Sequence, residues 1–511
     1  MLIPLGEATA DRCGGKAGAL GTLLRAGLPV PDGVVVPFAV SGGDCRCPPV
    51  GWDPSRSGRG GTPGERDLAT ARRGSLLVEA LGRLGDPAVA VRSSAADEDT
   101  AGASAAGQHE TALAVRGADQ VADAVRACRA SAHSARAVAY RGGGAAPAMA
   151  VLVQRLVDAD VSGVLFTPAE PDGATVIEAS WGLGPSVVGG AVTPDAYTVA
   201  ADGTVTRVAG DKRTRLDRDG ARRHGDDAPS HDLGERLHGD GTRPDRDGAG
   251  PHGNGASPDR LGDRPHGDDA SPHDLGDRPH RDGTRPDHNG APPDHDHTPP
   301  GGGARPDHGH TPPGDGTPPD HPGDRPHGDG TRLVASDVPV ADRTRPALTD
   351  VAARELAAIG ARAAELLGGP QDVEWAIADG DIWLLQSRPV TAAPPPRPAP
   401  ELPRPPTTLT GTPGSHGTAT GPVRVIRGAA DFARLRPGDV LVCRYTDPAW
   451  TPLLRLAAGV VTEVGGVLSH AAIVAREQRI PAVLGVDGAT TGLPDGGTVT
   501  VDGDAGTVTE E

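Results

Sequence analysis

Thr462-Glu463-Val464-Gly465-Gly466-Val467-Leu468-Ser469-His470-Ala471-Ala472-Ile473-Val474-Ala475-Arg476-Glu477 is the stretch on which the fold of the chain turns. The apolar run from Ala457 to Val461 predicts a strand that enters a Gly-Gly bend. Beyond the bend, Ala472, Ile473 and Ala475 have the spacing of a helix face turned to a sheet. Ser469 and His470 therefore stand at a helix N-terminus, where backbone N–H groups and the helix dipole favour an anion. Such a histidine is either a phosphoryl carrier or an ordinary surface residue at a loop–helix junction.

Around this stretch, residues 408–511 read as a compact β-rich unit with strands near Asp439–Cys443, Val460–Thr462, Pro481–Val486 and Gly497–Val501. A proline-dense segment (392–407) precedes it as a semi-rigid linker. Further upstream a helix spans Val351 to Leu367, with Leu356, Ile359, Ala363 and Leu366/Leu367 on one stripe. A hairpin follows: Asp372 to Ile377, a turn at Asp379-Gly380-Asp381, and Ile382 to Pro389. Strict alternation puts Asp372, Glu374 and Ala376 on one face and Leu384, Gln386 and Arg388 on another. The oxygens of Asp372, Glu374 and Gln386 suit Mg²⁺, a hard cation, and Arg388 suits a phosphate. The alternative is a set of cross-strand polar pairs, Glu374 facing Arg388. Trp375 and Trp383 read as core.

At the N-terminal end, Gly14-Gly15-Lys16-Ala17-Gly18 leads into a helix from Ala19 to Ala26, followed by a Val-rich strand between Pro29 and Pro37. Lys16 fits a phosphate-cradling loop or an ordinary turn, and the pattern is not the G-x-x-x-x-G-K-[ST] loop. Residues 41–66 read as loop and Leu68 to Leu84 as helix. Arg92 ends a buried-type strand (Ala88 to Val91) and aims its fork at a phosphate or carboxylate, or pairs with Asp97 or Glu98. Gln108-His109-Glu110 precedes a strand at Ala112–Val115, and a helix is expected from Ala118 to Tyr140. Further strands fall at Met149–Val153, Val161–Phe166 and around Val176. Glu178 on the last is a surface carboxylate or a ligand contact. This mixture predicts an α+β or α/β domain.

Between 217 and 333 the chain changes character. Gly-Asp-Arg-Pro-His recurs at 262–266, 276–280 and 323–327, and fourteen of the eighteen histidines fall in this segment. With no apolar periodicity it is not a solenoid, and it reads as a disordered insert, a solvated spacer with weak metal binding as the alternative. Glycine (74) and proline (52) make up about a quarter of the 511 residues, and aromatics are 2%, so the cores must be Val, Leu and Ala. A formal net charge of −18 argues against a nucleic-acid surface. Five scattered cysteines, no basic-then-apolar leader and no long apolar run predict a soluble, cytoplasmic protein in a reducing compartment.

Taken together, Gly14-Gly15-Lys16-Ala17, Val89 to Ala95, Val192-Thr193-Pro194-Asp195, Asp372-Val373-Glu374-Trp375 and Leu385 to Pro389 resemble the nucleotide-binding domain of phosphoenolpyruvate synthase and pyruvate, phosphate dikinase. Thr462 to Glu477 with Ile480-Pro481-Ala482-Val483 resembles the swivelling phosphohistidine domain of the same family, and rifamycin phosphotransferases share both. The resemblance implies an ATP-grasp domain (1–216 and 334–391) and a small mobile β/α domain (408–511). It implies that His470 is the phosphoryl carrier, acting as a neutral imidazole. Lys16, Arg92 and Arg388 would bind ATP phosphates, Glu374 and Gln386 would ligate Mg²⁺ with support from Asp372, and Glu178 would lie near the adenine–ribose end. ATP would be split to AMP, with the β-phosphoryl passing through the histidine.

Three departures stand out. No acceptor-binding domain is visible, Pro185 follows Gly-Leu-Gly where the family commonly has an acid, and the insert interrupts the nucleotide domain. The acceptor, pyruvate or an antibiotic, is therefore expected to be supplied by another chain or to have been lost. Rival functions are an antibiotic phosphotransferase with its acceptor site in trans and a non-catalytic ATP-binding regulator.

Overall fold

A computed structural model describes residues 2–38, 75–96, 111–134, 137–138, 146–170, 172–219, 332–392 and 408–511. The expected 41–66 loop, the Asp97 and Glu98 partners, Gln108-His109-Glu110, most of the insert and the linker at 393–407 lie outside these residues.

Strands β1 (Ile3–Pro4), β2 (Gly33–Val36), β3 (Val89–Ala95), β4 (Thr111–Val115) and β5 (Met149–Arg155) form an antiparallel sheet in the order β1-β2-β5-β3-β4. The apolar run of β5 is buried on both faces, as a strand between two layers must be. Ala150 and Leu152 face helix α1 (Ala10–Arg25), while Val151 and Val153 face α2 (Ala118–Ser131). Helix α1 begins nine residues earlier than the sequence pattern indicates. It runs on across a break at Gly14 (φ 79°, ψ 169°), where the chain turns against the Ser94 carbonyl and no side chain would fit. The expected helix to Tyr140 ends at Ser131.

A second antiparallel sheet contains β6 (Val161–Phe166), β7 (Thr175–Trp181), β8 (Asp195–Val199), β9 (Val205–Val208), β12 (Gln371–Ala378) and β13 (Asp381–Pro389), in the order β13-β12-β6-β7-β8-β9. One face packs on α1 and on α3 (Asp350–Leu367), through Leu165, Ile177, Tyr197, Val373, Trp375 and Leu384. Trp375 is fully buried, whereas Trp383 is half-buried. Helix α3 is capped by Thr349, whose hydroxyl accepts from the Ala352 N–H, and ends at Gly368 in the left-handed conformation. Between the two parts of this region, β10 (Thr214–Arg218) pairs with β11 (Leu333–Asp337), with Arg218 opposite Leu333. The two ends of the insert thus meet as neighbouring strands, which is how the domain accommodates it.

Residues 408–511 form an eight-stranded sheet from β14 (Thr408–Thr410), β15 (Thr412–Ser415), β16 (Thr418–Val425), β17 (Val440–Cys443), β18 (Gly459–Thr462), β19 (Ala482–Leu484), β20 (Thr498–Asp502) and β21 (Thr507–Glu510). Its two outer strands are consecutive in the chain: β14 pairs with β21, and β15, which follows β14 directly, pairs with β19. Helix α4 (His470–Gln478) follows β18, as the Gly-Gly motif predicts, and packs through Val474 and Ala475 on Val460 and Ala482.

Two outcomes test this packing. A Cβ at Gly163 would collide with the Glu178 carbonyl oxygen and stand 2.6 Å from the Trp375 ring. Gly163→Ala should therefore lower stability by about 2 kcal/mol in thermal unfolding. Asp495 accepts from the Val425 N–H at 2.9 Å and from Arg434 at 2.6 Å, which holds its carboxyl below the usual range. Its contribution is present above the unfolded carboxyl pKa of about 3.9 and is lost as pH falls through the lower folded value. Asp495→Asn should cost about 0.5–1 kcal/mol at neutral pH, a figure reduced for partial exposure, and the difference should vanish in acid.

Candidate functional site

The Asp379-Gly380 turn, both residues at positive φ, fixes the start of the hairpin register at Ala378 opposite Asp381. Pairing continues to Trp375 opposite Leu384 and then shifts by one residue. Glu374 opposes Gln386, and Asp372 opposes Arg388. Leu385 is the extra residue, a β-bulge. Trp375 and Leu384 consequently stay in the core while Gln386 and Arg388 join Asp372 and Glu374 on the opposite face. This corrects two expectations. Arg388 pairs with Asp372 rather than Glu374, and Leu384 does not share a face with Gln386. Strict alternation assumed an unbroken ladder.

The bulge also frees a carbonyl. Arg92 Nη1 donates to the Leu385 oxygen at 3.2 Å and lies 3.5 Å from Glu374 Oε2. Arg92 Nε is buried with no hydrogen-bond partner, a donor placed for an oxygen the protein itself does not supply. The side chains of Arg92 and Ser94 share a face of β3. Ser94 Oγ accepts from the Ala17 N–H at 3.1 Å, which fastens the Gly14-Gly15-Lys16 turn along the same strand as Arg92. Lys16 is half-buried there.

Asp372 and Arg388 form a buried pair, with Arg388 Nε and Nη2 each 2.7 Å from Asp372 Oδ2. Burial raises the Asp372 carboxyl, and the Arg388 guanidinium opposes that rise. No group of three His, Cys, Asp or Glu with metal-site geometry occurs among the described residues. The Glu374 carboxylate and the Gln386 amide nonetheless stand on directly opposed residues. That donor set fits Mg²⁺, which takes one or two protein oxygens and shares the rest with phosphates and water.

His470 opens α4 with Ser469 as its N-cap residue, and it is only 5% exposed. Thr446 Oγ1 lies 2.9 Å from Nδ1 and Thr451 Oγ1 3.3 Å from Nε2. The Thr451 hydroxyl also donates to the Pro448 carbonyl at 3.0 Å. The imidazole is thus held between two threonines of its own domain. Neither threonine stood out in the sequence, because the fold brings them to the ring from 24 and 19 residues away.

The turn that carries His470 rests on the polar-bearing face of the six-stranded sheet. Gln386, Glu374, Val164 and Glu178 are successive register partners across β13, β12, β6 and β7, so they share that face. Leu468 packs among Val164, Phe166, Val187 and Val192. Glu178, expected near a nucleotide base, places Oε1 2.7 Å from the Val467 N–H and Oε2 3.1 Å from the Leu468 N–H. Arg476 of α4 donates to the Val467 and Gly414 carbonyls and sits over the Phe166 ring. Burial lowers its guanidinium to about 10, against the pull of Asp372 and Glu178. A cleft between the hairpin and α4 is lined by Asp372, Arg388, Thr391, Ile473 and Arg476. Asp195 of the Val192-Thr193-Pro194-Asp195 motif has a structural place. It pairs with fully buried Lys212 at 2.6 Å and accepts from the Gly210 and Ala347 N–H groups.

Comparison with known proteins agrees with this architecture. The family described as pyruvate phosphate dikinase, AMP/ATP-binding domain, matches residues 74–231 and 325–402. The family described as PEP-utilising enzyme, mobile domain, matches residues 435–506. The chain is 30% identical to a probable phosphoenolpyruvate synthase of Methanothermobacter thermautotrophicus, over 99% of this chain and 62% of that protein. It is 31% identical to the phosphoenolpyruvate synthase of Aeropyrum pernix, over 97% of this chain and 56% of the relative. An uncharacterised phosphotransferase of Bacillus subtilis is 54% identical over 99 residues, 19% of this chain and 12% of that protein. The chain spans roughly three fifths of the length of the first two relatives. Among the described residues no helix is long and apolar enough to cross a membrane.

The Thr446 contact makes a spectroscopic prediction. Replacing Thr446 with Val should leave the domain folded and remove the contact at Nδ1. The Nδ1 ¹⁵N shift of His470 should then change with the loss of that hydrogen bond, while Nε2, still in contact with Thr451, and both ring nitrogens of His416 change little.

Proposed function

Because the chain belongs to the phosphoenolpyruvate synthase and pyruvate, phosphate dikinase family, we propose that it is an ATP-dependent phosphotransferase in which His470 takes a phosphoryl group from ATP. One observation carries the proposal: the turn bearing His470 is seated on the sheet face that presents Glu374, Gln386, Asp372 and Arg388. A donor site and a carrier on one face are what a direct transfer needs.

In this proposal the nucleotide domain is an ATP-grasp domain and the histidine domain swivels. Lys16, Arg92 and Arg388 bind the ATP phosphates, with the partnerless Arg92 Nε supplying one donor. Glu374 and Gln386 hold Mg²⁺, and Asp372 fixes Arg388 beside them. The metal, when bound, neutralises phosphate charge. Positioning and charge neutralisation by these side chains provide most of the acceleration for such a transfer. A neutral imidazole nitrogen of His470 forms the N–P bond to the β-phosphorus as AMP leaves, and a water cleaves the γ-phosphate off as inorganic phosphate, so that the β-phosphoryl stays on the histidine. The phosphorylated domain then turns to a small-molecule acceptor such as pyruvate, bound outside the two domains described.

ATP labelled separately at the β and γ positions tests this. Acid-labile label is expected from the β position only, with AMP as the nucleotide product and background label in His470→Ala. Label retained in full by His470→Ala contradicts the proposal. Arg92→Leu should slow label incorporation by about 100-fold, the usual size of losing one preorganised donor to a developing charge.

A further inference from the structure

We infer that Glu178 is a docking clasp for the histidine domain and that Gly466 is the seat it requires. The Glu178 side chain projects from β7 and is 2% exposed, yet both carboxylate oxygens point at the backbone of the other domain. Two consecutive N–H groups, Val467 and Leu468, converge on it at 2.7 and 3.1 Å. Adjacent N–H groups in a turn form a natural anion seat, and here the anion is a side chain of the neighbouring domain. These bonds are charge-assisted and therefore stronger than ordinary amide contacts.

Gly466 explains why the seat is open. A Cβ there would collide with all three carboxylate atoms, Cδ, Oε1 and Oε2. Gly466 is not at positive φ, unlike Gly465 (φ 111°), so its backbone would accept alanine. The two glycines of the motif thus have separate reasons. Gly465 makes the turn, and Gly466 leaves room for a carboxylate 288 positions away in the chain, as the bond from Val467 to Glu178 spans 289.

The clasp lies beside the apolar contact of Leu468 and the Gly190 backbone, which approaches Ser469 and Gly465. Together these hold the turn against the nucleotide face. Glu178 is accordingly a positioning residue. It deepens the phosphotransferase proposal, on which only its effect on rate depends, since docking itself is measurable without catalysis.

Amide hydrogen exchange on the full-length protein tests the clasp. In Glu178→Ala, the Val467 and Leu468 amides should exchange at least about tenfold faster. Gly466→Ala should produce the same change, because its methyl displaces the carboxylate. Adding Gly466→Ala to Glu178→Ala should produce no further change. Unaltered protection of Val440–Cys443 and Val373–Ile377 marks the variants as folded, and Glu178→Gln provides a milder version if either loses that protection. With ATP, the two single variants should also slow phosphohistidine formation by similar factors. Exchange unchanged in Glu178→Ala overturns the inference, as do fully additive effects of the two substitutions. A loss of ATP affinity in Glu178→Ala with unchanged exchange returns Glu178 to a nucleotide contact and also overturns it. If the wild-type protein forms no phosphohistidine but the exchange pattern holds, the function fails and the clasp stands.

Discussion

In the β12–β13 hairpin, Leu385 has no counterpart across the ladder, and the composition of the candidate site follows from that extra residue. The turn at Asp379-Gly380 starts the register with Trp375 and Leu384 facing the core, where they meet α1 and α3. Without the bulge, Gln386 and Arg388 would point to the same side as Leu384. Two polar groups would then be forced into the core, at a cost of several kcal/mol for an unpaired charge. With it, they join Asp372 and Glu374, and the freed Leu385 carbonyl anchors Arg92 from the other sheet. One irregularity thus both builds the polar face and ties the two sheets together across it.

The same face receives the histidine domain, and the size of the contact matters. Burying Leu468 is worth about 2 kcal/mol, and two charge-assisted bonds to Glu178 add a comparable gross amount. Against this stand the lost freedom of a tethered domain and the desolvation of the carboxylate. Under the proposed function the balance has to define one docked arrangement and still let the domain leave it. A carrier that must visit more than one site needs such a contact.

Much of this was legible in the residues. Asp379-Gly380 between alternating apolar runs announces a hairpin, and Gly465-Gly466 before Ser469-His470 announces a strand–turn–helix. Both form as the pattern indicates. The pairing of Asp372 with Arg388 was not legible, because a bulge leaves no mark in a period-two count. The early start of α1 is not legible because Gly14 and Gly15 look like a loop, and only the Ser94 contact shows why a break is tolerated inside the helix. Thr446, Thr451 and Arg476 were silent because their partners are distant in the chain. The clasp was hidden for the same reason: Glu178 looks like any strand carboxylate until β7 brings it under Gly466.

The polar face, the clasp and the buried imidazole all bear on one proposed step, the passage of a phosphoryl group from ATP on the polar face to His470. Peptide mapping by mass spectrometry, at alkaline pH after brief incubation of the protein with Mg²⁺ and ATP, measures this most directly. The peptide containing His470 should carry a phosphoryl group on an imidazole nitrogen, and that group should disappear on acidification. A phosphoryl group confined to a serine or threonine, or AMP formed with no modified His470 peptide, would contradict it.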